Sequence, residues 1–191
     1  MNQPKFEKTI EKFHKIEDAR DQLWDRALNL IEAGFEVEAY ILILATWNFA
    51  GFRYVMKNFD LREFESVIKK VNPIFKKLEK NKFEDIDFGN KPLISDIKEI
   101  YIQLKKIAKQ TGATKLMALK NSKLFIMWDT EIRKMHGIKN NAEADDYIDF
   151  LIKMKKDFLD IKWDGKTNPL AKAIDEYNYV IADKRRSERK K

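Results

Sequence analysis

Apolar residues recur at intervals of three and four along most of this chain, and only six glycines and four prolines interrupt them. That spacing lines apolar side chains along one face of a helix, and few breakers let helices run on. Residues 6–31 show it in Phe6, Ile10, Phe13, Leu23, Ala27, Leu30 and Ile31, closed by Ala33-Gly34. Residues 36–57 are apolar around nearly the whole circumference, which predicts a central, fully buried helix with Leu44 at its heart. Asp60-Leu61-Arg62-Glu63 has the form of a capping box, and Asn72-Pro73 predicts a break or kink in the helix it opens. Residues 81–92 read as a loop, and Ser95, Asp96 and Glu99 as the start of a helix ending near Thr111-Gly112. A short helix over 113–119, an extended run over 124–128 and a short helix from Asp129 to Gly137 follow. A long helix beyond Asn141 and a last one after Asn168-Pro169 complete the chain. No stretch alternates strictly enough for a sheet. The expected class is all-α: one compact multi-helix domain of six or more helices over residues 1–183, followed by a basic tail over 184–191.

Thirteen Phe, six Tyr and four Trp supply a substantial core despite a charged fraction of 36%. The absence of cysteine excludes disulfides, zinc–thiolate sites and cysteine nucleophiles. With two histidines, and acidic groups such as Asp145-Asp146-x-x-Asp149 and Glu84-Asp85-x-Asp87 that lack calcium-loop spacing, no metal or cofactor is expected. The longest apolar run, residues 39–45, is too short to span a bilayer, and no apolar leader opens the chain. A cytoplasmic protein with no membrane partner is the expectation. Net charge is +7, of which residues 184–191 carry +5 from six basic residues and Glu188, leaving +2 elsewhere. Lys184, Arg185, Arg186, Arg189, Lys190 and Lys191 are therefore candidates for holding DNA or RNA phosphates. They can equally be a solvated terminus.

Residues 112–137 hold the densest chemistry. A glycine-initiated turn with Lys115 leads into a short apolar run that ends in Asp129, between Trp128 and Thr130. A carboxyl beside a large apolar ring can have its pKa raised and support chemistry. The same aspartate is also an ordinary helix N-cap. Asn48, next to Trp47, interrupts an apolar helix and needs partners if buried, from either a ligand or the packing itself. His136, at a helix end, reads as a cation complementing the dipole, and His14 as an exposed residue.

Gly112-Ala113-Thr114-Lys115 and Asp129-Thr130-Glu131-Ile132-Arg133 resemble the glycine-rich hairpin and the aspartate motif of the helix-hairpin-helix DNA glycosylase superfamily. Glu131 stands where histidine is common there, and the paired hairpin glycines are absent. The resemblance covers about the middle half of the chain. It implies an all-helical, DNA-glycosylase-like fold and excision of damaged bases. Asp129 would be the catalytic carboxylate, stabilising charge on the sugar or activating water. Lys115 would be an amine nucleophile, active when partly desolvated. Trp47, Asn48, Phe125, Trp128 and Arg133 would bind the substrate, the aromatic rings stacking on a flipped base.

Three functions compete. A nucleic-acid-binding protein, with base excision as its chemistry, requires a pocket at Asp129 with basic side chains from separate helices beside it. A non-catalytic helical interaction protein requires no pocket there, with Asp129 a cap and the tryptophans in the core. A small-molecule enzyme using carboxylates requires a second acid within reach of Asp129.

Overall fold

A computed structural model describes residues 2–165 and 168–188. Among them are eight α-helices: α1 (Gln3–Glu32), α2 (Glu36–Trp47), α3 (Phe49–Val55), α4 (Leu61–Leu78), α5 (Lys91–Lys120), α6 (Thr130–Met135), α7 (Ala144–Asp157) and α8 (Leu170–Glu188). Two 3-10 turns, at Met56–Asn58 and Phe83–Asp85, complete the regular structure. The class is all-α, as the periodicity requires. No described helix is long and apolar enough to cross a membrane.

The helix ends follow local chemistry. Asn2, Asp60, Asn90 and Asp129 each accept a hydrogen bond from a first-turn amide, and Glu143 forms a capping box with Asp146. Gly34 and Gly137 follow α1 and α6 with φ of 88° and 73°, a conformation that glycine adopts without strain. The Asn90-x-Pro92 pair starts α5 four residues ahead of the Ser95 signal. Pro73 lies inside α4 and does not end it. Val71, Phe75 and Leu78 lie along its buried face on both sides of the proline, so packing offsets the lost backbone bond.

The expected single helix over 36–57 is broken. Asn48 leaves helical geometry at φ −135°, ψ 32°, dividing α2 from α3. Gly51 permits the bend, since a Cβ there would meet the Asn48 side chain at 2.8 Å. Leu44 is completely buried, as expected, but Phe49 and Tyr54 are exposed, so this segment is not the centre of the molecule. The centre is the second half of α5. All eight residues from 112 to 119 are buried, and the run 124–128 beside them is buried too. Helices α1, α2, α3, α4 and α7 all pack on α5.

Gly112 lies where α2 crosses α5. A Cβ at this position would meet Leu44 Cδ2 at 2.9 Å and Ala108 Cβ at 2.8 Å. Leu44→Ala should cost about 2–5 kcal/mol in urea unfolding. Gly112→Ala should destabilise by roughly 1–3 kcal/mol through overpacking, against the sign of helix propensity. Placed in the Leu44→Ala background, Gly112→Ala should cost measurably less, because half the clash is gone; strict additivity would show that the two residues do not touch.

Candidate functional site

The break after Trp47 and a second break in α5 open a cavity of about 550 Å³. Lys109 interrupts α5 with φ 59° and ψ −179°, a region that is strained for any residue with a side chain. The deviation frees the Gln110 carbonyl to accept the Trp128 indole N–H at 3.1 Å, and turns Thr111 toward Arg133. The cavity walls are residues 47–51, 109–111, Lys115, 127–130, Ile132, Arg133, Asp175 and Tyr179. Exposed Phe49, Ala50, Lys109 and Thr130 form its rim.

Lys115 and Asp129 both line this cavity, with Trp47, Asn48, Trp128 and Arg133. Lys115 is 8% exposed, so its amine is largely desolvated. Its Nζ donates to the carbonyl of Trp47, the last residue of α2, where a cation complements the helix dipole. Asp129 is both cap and wall. One carboxylate oxygen accepts from Ile132 N at 2.8 Å, while the residue remains half-buried at the cavity surface.

The aromatic residues divide. Trp47 is half-buried and lines the cavity. Trp128 is completely buried among Tyr101, Tyr147 and Phe150, and supports the inner wall rather than standing as a free stacking surface. Phe125 does not line the cavity; it packs edge-on against Phe75 in the core, because the run 124–128 is enclosed on all sides.

Arg133 is buried, with its guanidinium 5.6 Å from the Trp128 ring. It donates to Thr111 Oγ1 at 3.0 Å and Thr130 Oγ1 at 3.4 Å, and its Nε has no partner. Burial pushes its pKa down, opposed by Tyr101 and Asp129. Lys184 and Arg185 are exposed on the last turns of α8, which continues through Glu188. The side chain of Arg186 and residues Arg189, Lys190 and Lys191 lie outside the described residues.

The carboxyl that sequence spacing did not single out is Asp175. It is 5% exposed and lines the cavity. Burial raises its pKa to about 7; Lys172 and Lys115 lower it, while Glu176 and Asp129 add to the rise. Behind it, Lys172 is buried with its ammonium 5.0–5.1 Å from the ring centroids of Phe13, Trp24 and Trp47. Its Nζ lies 3.1 Å from Glu176 Oε1 and 3.8 Å from Asp175 Oδ2. Burial works against this ammonium, but Glu176 and Asp175 outweigh it and raise its pKa. The legible signal was Lys172, Asp175 and Glu176 at i, i+3 and i+4, interspersed with Ala171, Ala173 and Ile174.

Both histidines depart from expectation. His14 is half-buried, 2.8 Å from Asp21 and 3.5 Å from the fully buried Glu176. These three are the one group among the described residues whose ligand atoms lie close enough together to hold a metal. His136 caps α6, but burial against Phe150, together with Lys153, lowers its pKa, so it favours the neutral form and not the dipole-complementing cation.

Asp175 makes stability depend on pH. Its folded pKa lies above its unfolded value, so the folded chain holds the extra proton between about pH 4 and 7. The stability of the native chain relative to Asp175→Asn should therefore be highest below pH 4, fall as pH rises to 7 and flatten above, in chemical denaturation. A flat difference over that range would mean that the carboxyl titrates normally. No family model matches this chain, nor does any curated protein or any solved structure.

Proposed function

We propose that the chain acts on nucleic acid, drawing one nucleotide into the cavity and excising its base in the manner of a DNA glycosylase. The observation that carries this reading is the meeting of a desolvated lysine, Lys115, and a helix-capping carboxylate, Asp129, in one solvent-open cavity. Lys115 lies on α5 and Asp129 caps α6, 14 positions apart in sequence. A volume near 550 Å³ is within the usual range of roughly 300–1,000 Å³ for small-molecule pockets. In this reading Trp47 offers its ring to the flipped base. Asp129 stabilises positive charge as it develops on the sugar. The Lys115 amine attacks the sugar carbon that carries the base. Lys109 at the rim, Lys115 and Arg133 within, supply positive charge from α5 and α6 to a polyanionic strand. Exposed Lys184 and Arg185 add to it from α8.

One observation favours a second reading, a small-molecule enzyme using carboxylates: Asp129 and Asp175 line the same cavity. The interaction-protein reading requires no pocket at Asp129, and is the least supported.

The full chain should bind short DNA duplexes at low salt, with affinity falling steeply as salt rises. Truncation after Asp183 should weaken binding and flatten the salt slope while leaving measurable affinity from the body. Across a panel of duplexes each bearing one damaged base, at least one should lose that base. Asp129→Asn should abolish the excision, a loss of 100-fold or more, while sparing binding. Absence of binding at low salt, together with no excision across the panel, would overturn the nucleic-acid reading and leave the carboxylate enzyme.

A further inference from the structure

The cavity contains two carboxyls and one buried amine, and their surroundings differ in kind. Asp129 is tied through one oxygen to the Ile132 amide and lies partly in water. Asp175 is almost completely out of water. Its neighbour on α8, Lys172, already has a counter-ion in Glu176 at 3.1 Å, closer than the 3.8 Å to Asp175. Asp175 is thus a second acid beside an ammonium that is already paired. Burying a surplus carboxyl is costly, and such groups concentrate where proton transfer is needed.

We propose that Asp175 is the proton-transfer residue of the cavity, exchanging protons with Lys115. The inference rests on the base-excision reading for its substrate, but the pair itself stands on geometry. Lys115 and Asp175 line the same 550 Å³ space and both are more than nine-tenths buried; beside that geometry, the Lys115 charge lowers the Asp175 pKa. The other groups that face Asp175 are Lys172 and Glu176 on its own helix, Asp129 ahead of α6, and Tyr147 on α7, whose hydroxyl donates to the Ile126 carbonyl. Asp21 on α1 acts one step further away, on Lys172. A carboxyl that titrates to about 7 in this setting can both accept and return a proton near neutrality.

The exchange balances. The Asp175 carboxylate takes one proton from the Lys115 ammonium, leaving a carboxylic acid and a neutral amine. The amine lone pair forms a bond from Nζ to the anomeric carbon as the bond from that carbon to the base nitrogen breaks. The electrons of the broken bond go to the base, and the carboxylic acid returns its proton there. Asp175 is again a carboxylate, Lys115 is a secondary ammonium joined to the sugar, and the base leaves neutral. No oxidant or reductant is needed.

Three measurements on the full chain test this. Carboxyl carbon NMR should find Asp175 titrating near pH 7, and Lys115→Met should raise that midpoint by removing a cation. Reductive methylation of Lys115 with formaldehyde and cyanoborohydride, followed by mass spectrometry across pH, should show its midpoint falling in Asp175→Asn and holding in Asp160→Asn, a control at an exposed acid after α7 that does not line the cavity. On a duplex that the chain excises, Asp175→Asn should lower the single-turnover rate by about 100-fold and remove the limb near pH 7, and Asp175→Glu should restore part of both. An Asp175 midpoint indifferent to Lys115→Met, or a Lys115 midpoint indifferent to Asp175→Asn, overturns the pair. A pH limb that survives in Asp175→Asn overturns its role in proton transfer. If the native chain excises nothing, the base-excision reading fails, and the two titrations still decide whether Asp175 and Lys115 exchange protons. The NMR titration uses the native Asp175, so it stands even if the Asp175 variants fold poorly.

Discussion

The second half of α5 runs through the middle of the molecule, and three walls of the cavity are fastened to a single turn of it. At Gly112 the missing side chain lets Leu44 lie against the helix, which brings α2 into place. At Thr114 the hydroxyl meets both the N–H and the carbonyl of Trp128, at 3.3 and 3.4 Å, and so positions the residue just before Asp129. At Lys115 the ammonium closes the end of α2 at the Trp47 carbonyl. A helix enclosed on all sides cannot relax into solvent, so a change of one methyl group is felt by each wall.

The buried ions of α8 belong to the same unit. Withdrawing Lys172, Asp175 and Glu176 from water carries a penalty of several kcal/mol per ion before their mutual attraction is counted. Replacing buried ion pairs with apolar residues of similar size is often neutral or stabilising. A buried trio of this kind is weak evidence for stability. Trp47 joins it to the cavity: its ring lies 5.0 Å from Lys172, and the same residue forms part of the cavity wall. The electrostatics of Asp175 are set from behind by Lys172 and Glu176, and from the cavity side by Lys115 and Asp129.

Asp129 is at once a helix cap and part of the cavity wall. Accepting the Ile132 amide orients the carboxylate without removing it from the cavity surface. The strain at Lys109 serves the same construction, since the break in α5 sets Gln110 and Thr111 as anchors for Trp128 and Arg133. The exposed apolar residues Phe49, Tyr54 and Met56 lie on α3 and the turn after it, and of these Phe49 lines the cavity. Their exposure accompanies the early end of α2.

Periodicity and capping chemistry, which act within a few residues, determined the all-helical class and most of the helix ends. Asp60, Asp129, Gly34 and Gly137 perform the roles that their types imply, because a cap is satisfied by amides two or three positions away. Lys115 and Asp129, which line one cavity, lie within a single short stretch whose residue types stood out in the sequence. What depends on distant partners was not legible. Pro73 sits within a helix because packing on both sides of it outweighs a local penalty. Residues 36–57 divide at Asn48, and Lys109 takes a conformation that no local preference favours, where Lys115 of α5 meets the Trp47 carbonyl and Trp128 of the run before α6 meets the Gln110 carbonyl. Asp175 lies some 46 positions from Asp129 in sequence, and nothing in its neighbours indicates which helix it will face. The packing of α8 against α1 and α6 brings that carboxyl to the cavity, and burial there raises its pKa to about 7.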